Sequence, residues 1–128
     1  MKFRSKFEKR IWDALPSGSG VVYEPPDGKL HYTLPKRYIP DFVLPNGIVI
    51  EAKGYFTSAD RTKMLRVQKE NPGVDIRFLF MRANNRLTKS PNSRTYWQWA
   101  EQHGFQWKEG DTIPKEWLNE RRKPRRRR

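Results

Sequence analysis

The stretch Tyr38-Ile39-Pro40-Asp41-Phe42-Val43-Leu44-Pro45-Asn46-Gly47-Ile48-Val49-Ile50-Glu51-Ala52-Lys53-Gly54 organises this chain. It reads as two strands, over 38–44 and 48–53, joined by a Pro-Asn-Gly turn. Side chains alternate along a strand, so Glu51 and Lys53 leave an apolar run on the same side. The turn decides where Asp41 goes. With Asn46-Gly47 as a two-residue loop, Phe42 would sit opposite Glu51 and Asp41 would face away. With Pro45-Asn46-Gly47 as a three-residue loop and Gly47 left-handed, Leu44 pairs with Ile48 and Asp41 with Glu51. The second register is preferred, because Phe42, Leu44, Ile48, Ile50 and Ala52 then share one face, and Asp41, Glu51 and Lys53 the other.

Two carboxylates directly opposite each other repel. An edge hairpin with solvated charges is the ordinary reading of such a pair. A hard divalent cation such as magnesium, bound by carboxylate oxygens, would remove the repulsion. The order Pro40-Asp41, some ten residues, then Glu51-x-Lys53 resembles the PD-(D/E)xK signature of metal-dependent nucleases, a pattern that is only moderately specific by itself.

The rest of the composition points to a polyanionic partner. The 128 residues hold 27 basic against 14 acidic side chains, a net charge of +13. Seven of these charges fall in 121–128, and the body stays basic without them. The length suits one domain, expected over 1–120, followed by a basic disordered tail over 121–128. With no cysteine, disulfide frameworks and thiolate metal sites are excluded. No apolar run reaches the length of a membrane span or signal-peptide core, so a soluble, cytoplasmic protein is expected.

Residues 2–15 read as a helix with Phe3, Phe7, Ile11 and Leu15 in a stripe. Ser5 and Glu8 have capping-box spacing, which periodicity favours, while Glu8 could also be a third carboxylate for a metal. Residues 21–37 form a proline-punctuated extended segment, either a long hairpin or a connector crossing to another subunit. Ser58 can cap a helix to about Glu70, carrying Arg61, Lys63, Arg66 and Lys69. Such a basic helix is usually a solvated face, but beside an acidic cluster it is a natural phosphate clamp. Residues 74–82 read as a central strand covered on both sides. Residues 95–103 read as a helix whose Tyr96, Trp97 and Trp99 could stack on bases, with core packing preferred. A short strand (105–107) and a last helix (112–120) complete an α/β fold with a mixed central sheet flanked by helices.

The ordered motifs Phe3-Arg4-Ser5-x-x-Glu8, Pro40-Asp41-Phe42-x-Leu44-Pro45-Asn46-Gly47-Ile48, Glu51-x-Lys53-Gly54, Asp60-Arg61-x-Lys63, Asp75-Ile76-Arg77, His103-Gly104 and Pro114-x-Glu116-Trp117 resemble the phage endonuclease I family of Holliday-junction resolvases. The likeness covers nearly the whole chain and departs in 21–37, which is shorter here before Tyr38. The resemblance implies a restriction-endonuclease-like PD-(D/E)xK fold in an intertwined homodimer, with 21–37 as the bridge. It implies Asp41, Glu51 and the Ala52 carbonyl as metal ligands, Glu8 at a second metal position, and Lys53 orienting or activating the attacking water. Glu8, Asp41, Glu51 and Lys53 would be the catalytic set, magnesium the cofactor and manganese a substitute. Arg4, Lys36, Arg37, Arg61, Lys63 and Arg66 would grip branched DNA, with no membrane or small-molecule partner and a location in the cytoplasm of a phage-infected host. A restriction or repair nuclease acting on linear duplex is the alternative. A non-enzymatic binder would leave Asp41, Glu51 and Lys53 unexplained.

Overall fold

The computed structural model describes residues 2–25, 30–32 and 36–121. The expected arginine tail from 122 onward and residues 26–29 and 33–35 of the expected bridge lie outside the described residues. The chain runs α1 (Lys6–Asp13), β1 (Val22–Tyr23), β2 (Leu30–Tyr32), β3 (Lys36–Tyr38), β4 (Phe42–Val43), β5 (Val49–Lys53), α2 (Ser58–Glu70), β6 (Ile76–Phe80), α3 (Tyr96–Gln102), β7 (Gln106–Glu109) and α4 (Lys115–Leu118). Five strands form a mixed sheet in the order β1-β4-β5-β6-β7, and β2 and β3 form a separate antiparallel pair.

The hairpin adopts the three-residue turn. Phe42 pairs with Ile50 and Val43 with Val49, and the Leu44 amide donates to the Ile48 carbonyl at 2.8 Å. Gly47 has φ +90°, a left-handed conformation in which any Cβ is strained. Extending this pairing by one residue sets Asp41 opposite Glu51.

One continuous strand over 38–44 does not form. Pro40 has no N–H to give a ladder, so the chain leaves one sheet and enters another across Ile39–Asp41. Tyr38 pairs with Leu30 in the small sheet, whereas Phe42 pairs with Tyr23 on one side and Ile50 on the other. Asp41 therefore sits at a seam between sheets.

From β5 onward the connections are helical crossovers, and β5–β6 and β6–β7 are parallel. The expected central strand β6 is buried at every residue, with parallel neighbours on both sides. Thr57, one residue before the expected Ser58, caps α2: its hydroxyl accepts from the Asp60 amide, and the Asp60 carboxylate accepts from the Thr57 amide. A matching box between Thr95 and Gln98 starts α3.

Two apolar layers enclose the sheet. On one face Val49, Ile76, Phe78 and Phe80 pack against Phe56, Met64 and Val67 and against Tyr96, Trp99 and Phe105. Tyr96 and Trp99 are thus core residues, and Trp97 is half-buried in a stack with Trp107. On the other face Phe42, Leu44, Ile48, Ile50 and Leu79 meet Phe7 and Ile11 of α1 and Ile113 and Trp117 around α4. Burying a side chain such as Ile50 or Phe78 contributes about 2 kcal/mol.

This second layer also contains a buried charge. Arg77 is fully buried, bonds Asp75 at 2.8 and 3.0 Å and Glu120 at 2.5 and 3.2 Å, and lies 5.4 Å from the Trp117 ring. Asn46 in the hairpin turn donates to the Trp117 and Glu120 carbonyls at 2.7 and 2.9 Å. Together these bonds fasten the C-terminal helix to the sheet, which accounts for Asn46, Asp75, Arg77 and Trp117 without any catalytic role.

Candidate active site

A row of acidic side chains crosses the sheet edge where β1, β4 and β5 lie side by side. Tyr23 pairs with Phe42, so the next residues, Glu24 and Asp41, lie opposite each other, and the Glu24 amide donates to the Asp41 carbonyl at 3.2 Å. Asp41 is thus flanked by Glu24 on one strand and Glu51 on the other. Glu24 takes φ +43°, the only left-handed non-glycine conformation among the described residues, at a cost of about 1 kcal/mol. Glu8 approaches from the first turn of α1. Carboxylate oxygens of Glu8, Glu24 and Asp41 all lie within 4.8 Å of one another.

Glu8, Asp41 and Glu51 each have an oxygen held by a named donor. Asp41 Oδ2 accepts from the Ala52 amide at 2.9 Å. Glu51 Oε1 accepts from the Tyr38 hydroxyl at 2.7 Å. Glu8 accepts from the Tyr23 hydroxyl and, at 3.4 Å, from Ser5. Ser5 does cap α1, taking the Glu8 amide at 3.1 Å, but the Glu8 side chain turns to Tyr23. The capping-box spacing is therefore half used as a cap, and its carboxylate belongs to the acidic row.

Lys53 lies 3.4 Å from both Glu51 Oε2 and Asp60 Oδ1, which fixes its ammonium at the end of the row. Arg4 pairs with Glu24. Among the described residues, Arg4 and Lys53 are the cations paired with the five carboxylates Glu8, Glu24, Asp41, Glu51 and Asp60. Burial and the excess of negative charge shift the proton affinities of these groups. Burial first, then Glu51 and Glu8, push Asp41 well above the ordinary carboxylate range, against the Ala52 amide and Lys53. Burial also raises Glu8, with Glu24 and Glu51 adding to it against the Tyr23 hydrogen bond. Burial opposes the charge of Lys53, but Glu51, Asp60 and Asp41 outweigh it and raise its affinity for the proton. For Asp60 burial is outweighed by Thr57 and Lys53, and its carboxyl is held low.

An oxygen-only donor set with this excess charge fits a hard divalent cation. Such an ion would replace mutual repulsion by shared coordination, and Glu8, Glu24 and Asp41 converge closely enough to hold it. Glu51 borders the trio, turned between Tyr38 and Lys53. The N–H and C=O of one strand residue point to the same side, so the Ala52 carbonyl faces the Asp41 edge along with its amide.

The six basic candidates are in differing situations. Arg4 and Arg37 are exposed, and so is Arg66 on α2. Arg61 donates to the Phe56 carbonyl at 2.9 Å with its guanidinium over that ring, a local structural duty. The Lys63 ammonium sits 5.7 Å from the centre of the Tyr38 ring. Lys36 contributes its backbone to β3, and its side chain lies outside the described atoms.

Glu24, Tyr23 and Tyr38 are members of this site that the motif spacing misses. Glu24 lies outside the Pro-Asp…Glu-x-Lys pattern. Its place follows only from the pairing of β1 with β4, which the short run Val21-Val22-Tyr23 does not announce.

The site gathers carboxylates and a lysine beside β1, β4 and β5 of a mixed sheet, on a strongly basic chain. The family model of phage endonuclease I matches residues 1–126, and the chain belongs to that family. It is 38% identical over 125 residues to endonuclease I of Escherichia phage T7, covering 94% of this chain and 81% of the relative. It is 39% identical over 107 residues to endodeoxyribonuclease 1 of Enterobacteria phage T3, covering 80% and 68% respectively.

Proposed function

We propose that this chain is a divalent-cation-dependent DNA endonuclease that resolves four-way and other branched junctions by paired phosphodiester hydrolysis. The observation that carries the chemical part is the convergence of Glu8, Glu24 and Asp41 within 4.8 Å, beside a lysine, on a chain of charge +13. Carboxylates alone repel phosphate, so a site of this kind next to DNA needs a cation. The names of the two phage relatives supply the substrate class, an endonuclease and an endodeoxyribonuclease.

Glu8, Asp41, Glu51 and the Ala52 carbonyl, joined by Glu24, would hold magnesium or manganese. A bound divalent ion would supply positive charge for the phosphate and for the oxygens of an in-line displacement. Lys53, held between Glu51 and Asp60, would orient the attacking water and offset charge building on the phosphoryl group. Asp60 would keep Lys53 aimed, and its own place is set by the Thr57 capping box. Arg4, Lys36, Arg37, Arg61, Lys63 and Arg66, with the arginine tail, would contact backbone phosphates, which position DNA without reading sequence.

The preference for branched DNA rests on family resemblance and on a physical argument. Among the described residues no recognition helix or finger is evident for reading base edges, so selectivity would come from fitting DNA arms at a fixed mutual angle. Two sites in a homodimer, exchanging segments through 21–37, would nick opposing strands of one junction. In that assembly residues 1–120 form the nuclease domain, acting in the cytoplasm of the infected cell. The test is competition with calcium in place of magnesium to block cutting. Excess unlabelled linear duplex should fail to displace a labelled four-way junction that unlabelled junction displaces. Equal competition by the duplex would replace the junction reading with that of a nuclease acting on linear DNA.

A further inference from the structure

Two buried tyrosines approach the acidic row from opposite apolar layers. Tyr38 belongs to the layer of α2 and α3, and its hydroxyl donates to Glu51 Oε1 at 2.7 Å with both residues buried. Tyr23 belongs to the layer of α1 and α4, and its hydroxyl donates to Glu8 Oε1. The same Tyr23 oxygen accepts from the Arg4 amide at 3.0 Å, which fixes the direction of its proton. Both rings are wedged. Tyr23 lies 4.7 Å from Phe3 and 5.4 Å from Phe42 between ring centres, and the Lys63 ammonium is 5.7 Å from the centre of the Tyr38 ring.

We infer that Tyr23 and Tyr38 are positioning residues for the cation site: each fixes the rotamer of one carboxylate, Glu8 or Glu51, through one oxygen and leaves the other oxygen available to the ion or to Lys53. A neutral donor suits this task. A lysine or arginine in either place would also orient the carboxylate, but it would cancel the charge that a cation needs. Donors behind the ligands commonly set metal affinity in this way, and their loss weakens it about 10- to 100-fold. With the Ala52 amide on Asp41, each of Glu8, Asp41 and Glu51 is then held by a donor from the protein, and the row is preorganised before any ion arrives.

The inference rests on the cation-dependent reading of the site, and the test separates the two. Tyr38→Phe and Tyr23→Phe keep the rings and remove only the hydroxyls. Manganese binding by calorimetry should weaken about tenfold in each variant. The magnesium concentration giving half-maximal cleavage should rise by a similar factor, with DNA affinity in chelator unchanged. The two hydroxyls serve different carboxylates, so Tyr23→Phe carries the test alone should Tyr38→Phe not fold. Folded variants that bind manganese like the wild type would overturn the inference and reduce the hydroxyls to packing. A wild-type protein that binds no manganese and cleaves equally in chelator would instead remove the cation reading, and the inference with it.

Discussion

Among the described residues charge is buried in two places, and in opposite ways. At Arg77 the charge is closed internally: one guanidinium meets two carboxylates and an aromatic face, and no partner from outside is needed. At the acidic row five carboxylates face two cations, and Asp41 and Glu8 hold protons more tightly than usual because burial and like charge act together. Arg77 ties α4 to the sheet. Within the acidic row the backbone itself is left-handed at Glu24. A buried charge that is balanced within the protein reads as architecture. One left in surplus reads as a site awaiting a ligand of opposite sign.

The largest expected effect breaks this comparison at its acidic end. Asp41→Asn should lower cleavage by about three orders of magnitude, since it removes a carboxylate central to the row. The same change should leave DNA binding equal or stronger and raise the melting temperature in chelator, because repulsion among Glu8, Glu24, Asp41 and Glu51 is relieved. Cleavage at the wild-type rate would show that the row is not the site of chemistry.

The Arg77 end should behave in the reverse manner. Arg77→Ala leaves Asp75 and Glu120 without their partner and opens a cavity beside Trp117, a loss of about 3 kcal/mol. Thermal unfolding should come about 10 °C earlier. Magnesium requirement, measured well below that temperature, should not change. A variant that kept its melting temperature but lost cation dependence would erase the distinction between the two ends.

Much of this contrast is legible in the amino-acid sequence, and the reasons are physical. The hairpin register follows from Phe42, Leu44, Ile48 and Ile50, because a one-residue slip would put Phe42 and Leu44 on the opposite face from Ile48 and Ile50. The α1 stripe and the buried strand β6 follow from periodicity alone. The break at Ile39–Asp41 is signalled by Pro40 but masked by the apolar residues on either side of it. Arg77 stands in the sequence beside Asp75 in the motif Asp75-Ile76-Arg77, but its burial and its bond to Glu120, 43 positions away, are not encoded there. Glu24, Tyr23 and Tyr38 are out of reach for a related reason. Each gains its role from a pairing between β1, β4 and β5 or from a side chain on another element, and no short spacing encodes that.

The last and smallest effect sharpens the comparison through pH. Asp41 and Glu8 bind protons more tightly in the folded chain than in the unfolded one. The folded state therefore carries the extra protons, and stability declines as pH rises from about 4, the ordinary carboxylate value, through the raised folded values. Asp60 works in the opposite direction, contributing stability that is lost only as pH falls through its lowered folded value. The measurement is the melting temperature of the wild type and Asp41→Asn in chelator from pH 4 to 7. The variant should gain on the wild type by several degrees across that range, as the carboxylates it no longer crowds lose their protons. Magnesium competes with protons for the same oxygens, so it should close most of the gap near pH 7 and little of it near pH 4. Arg77 has no share in this proton exchange, and Arg77→Ala should run parallel to the wild type. If Asp41→Asn also ran parallel, the acidic row would be a solvated patch and the contrast between the two buried charges would fail.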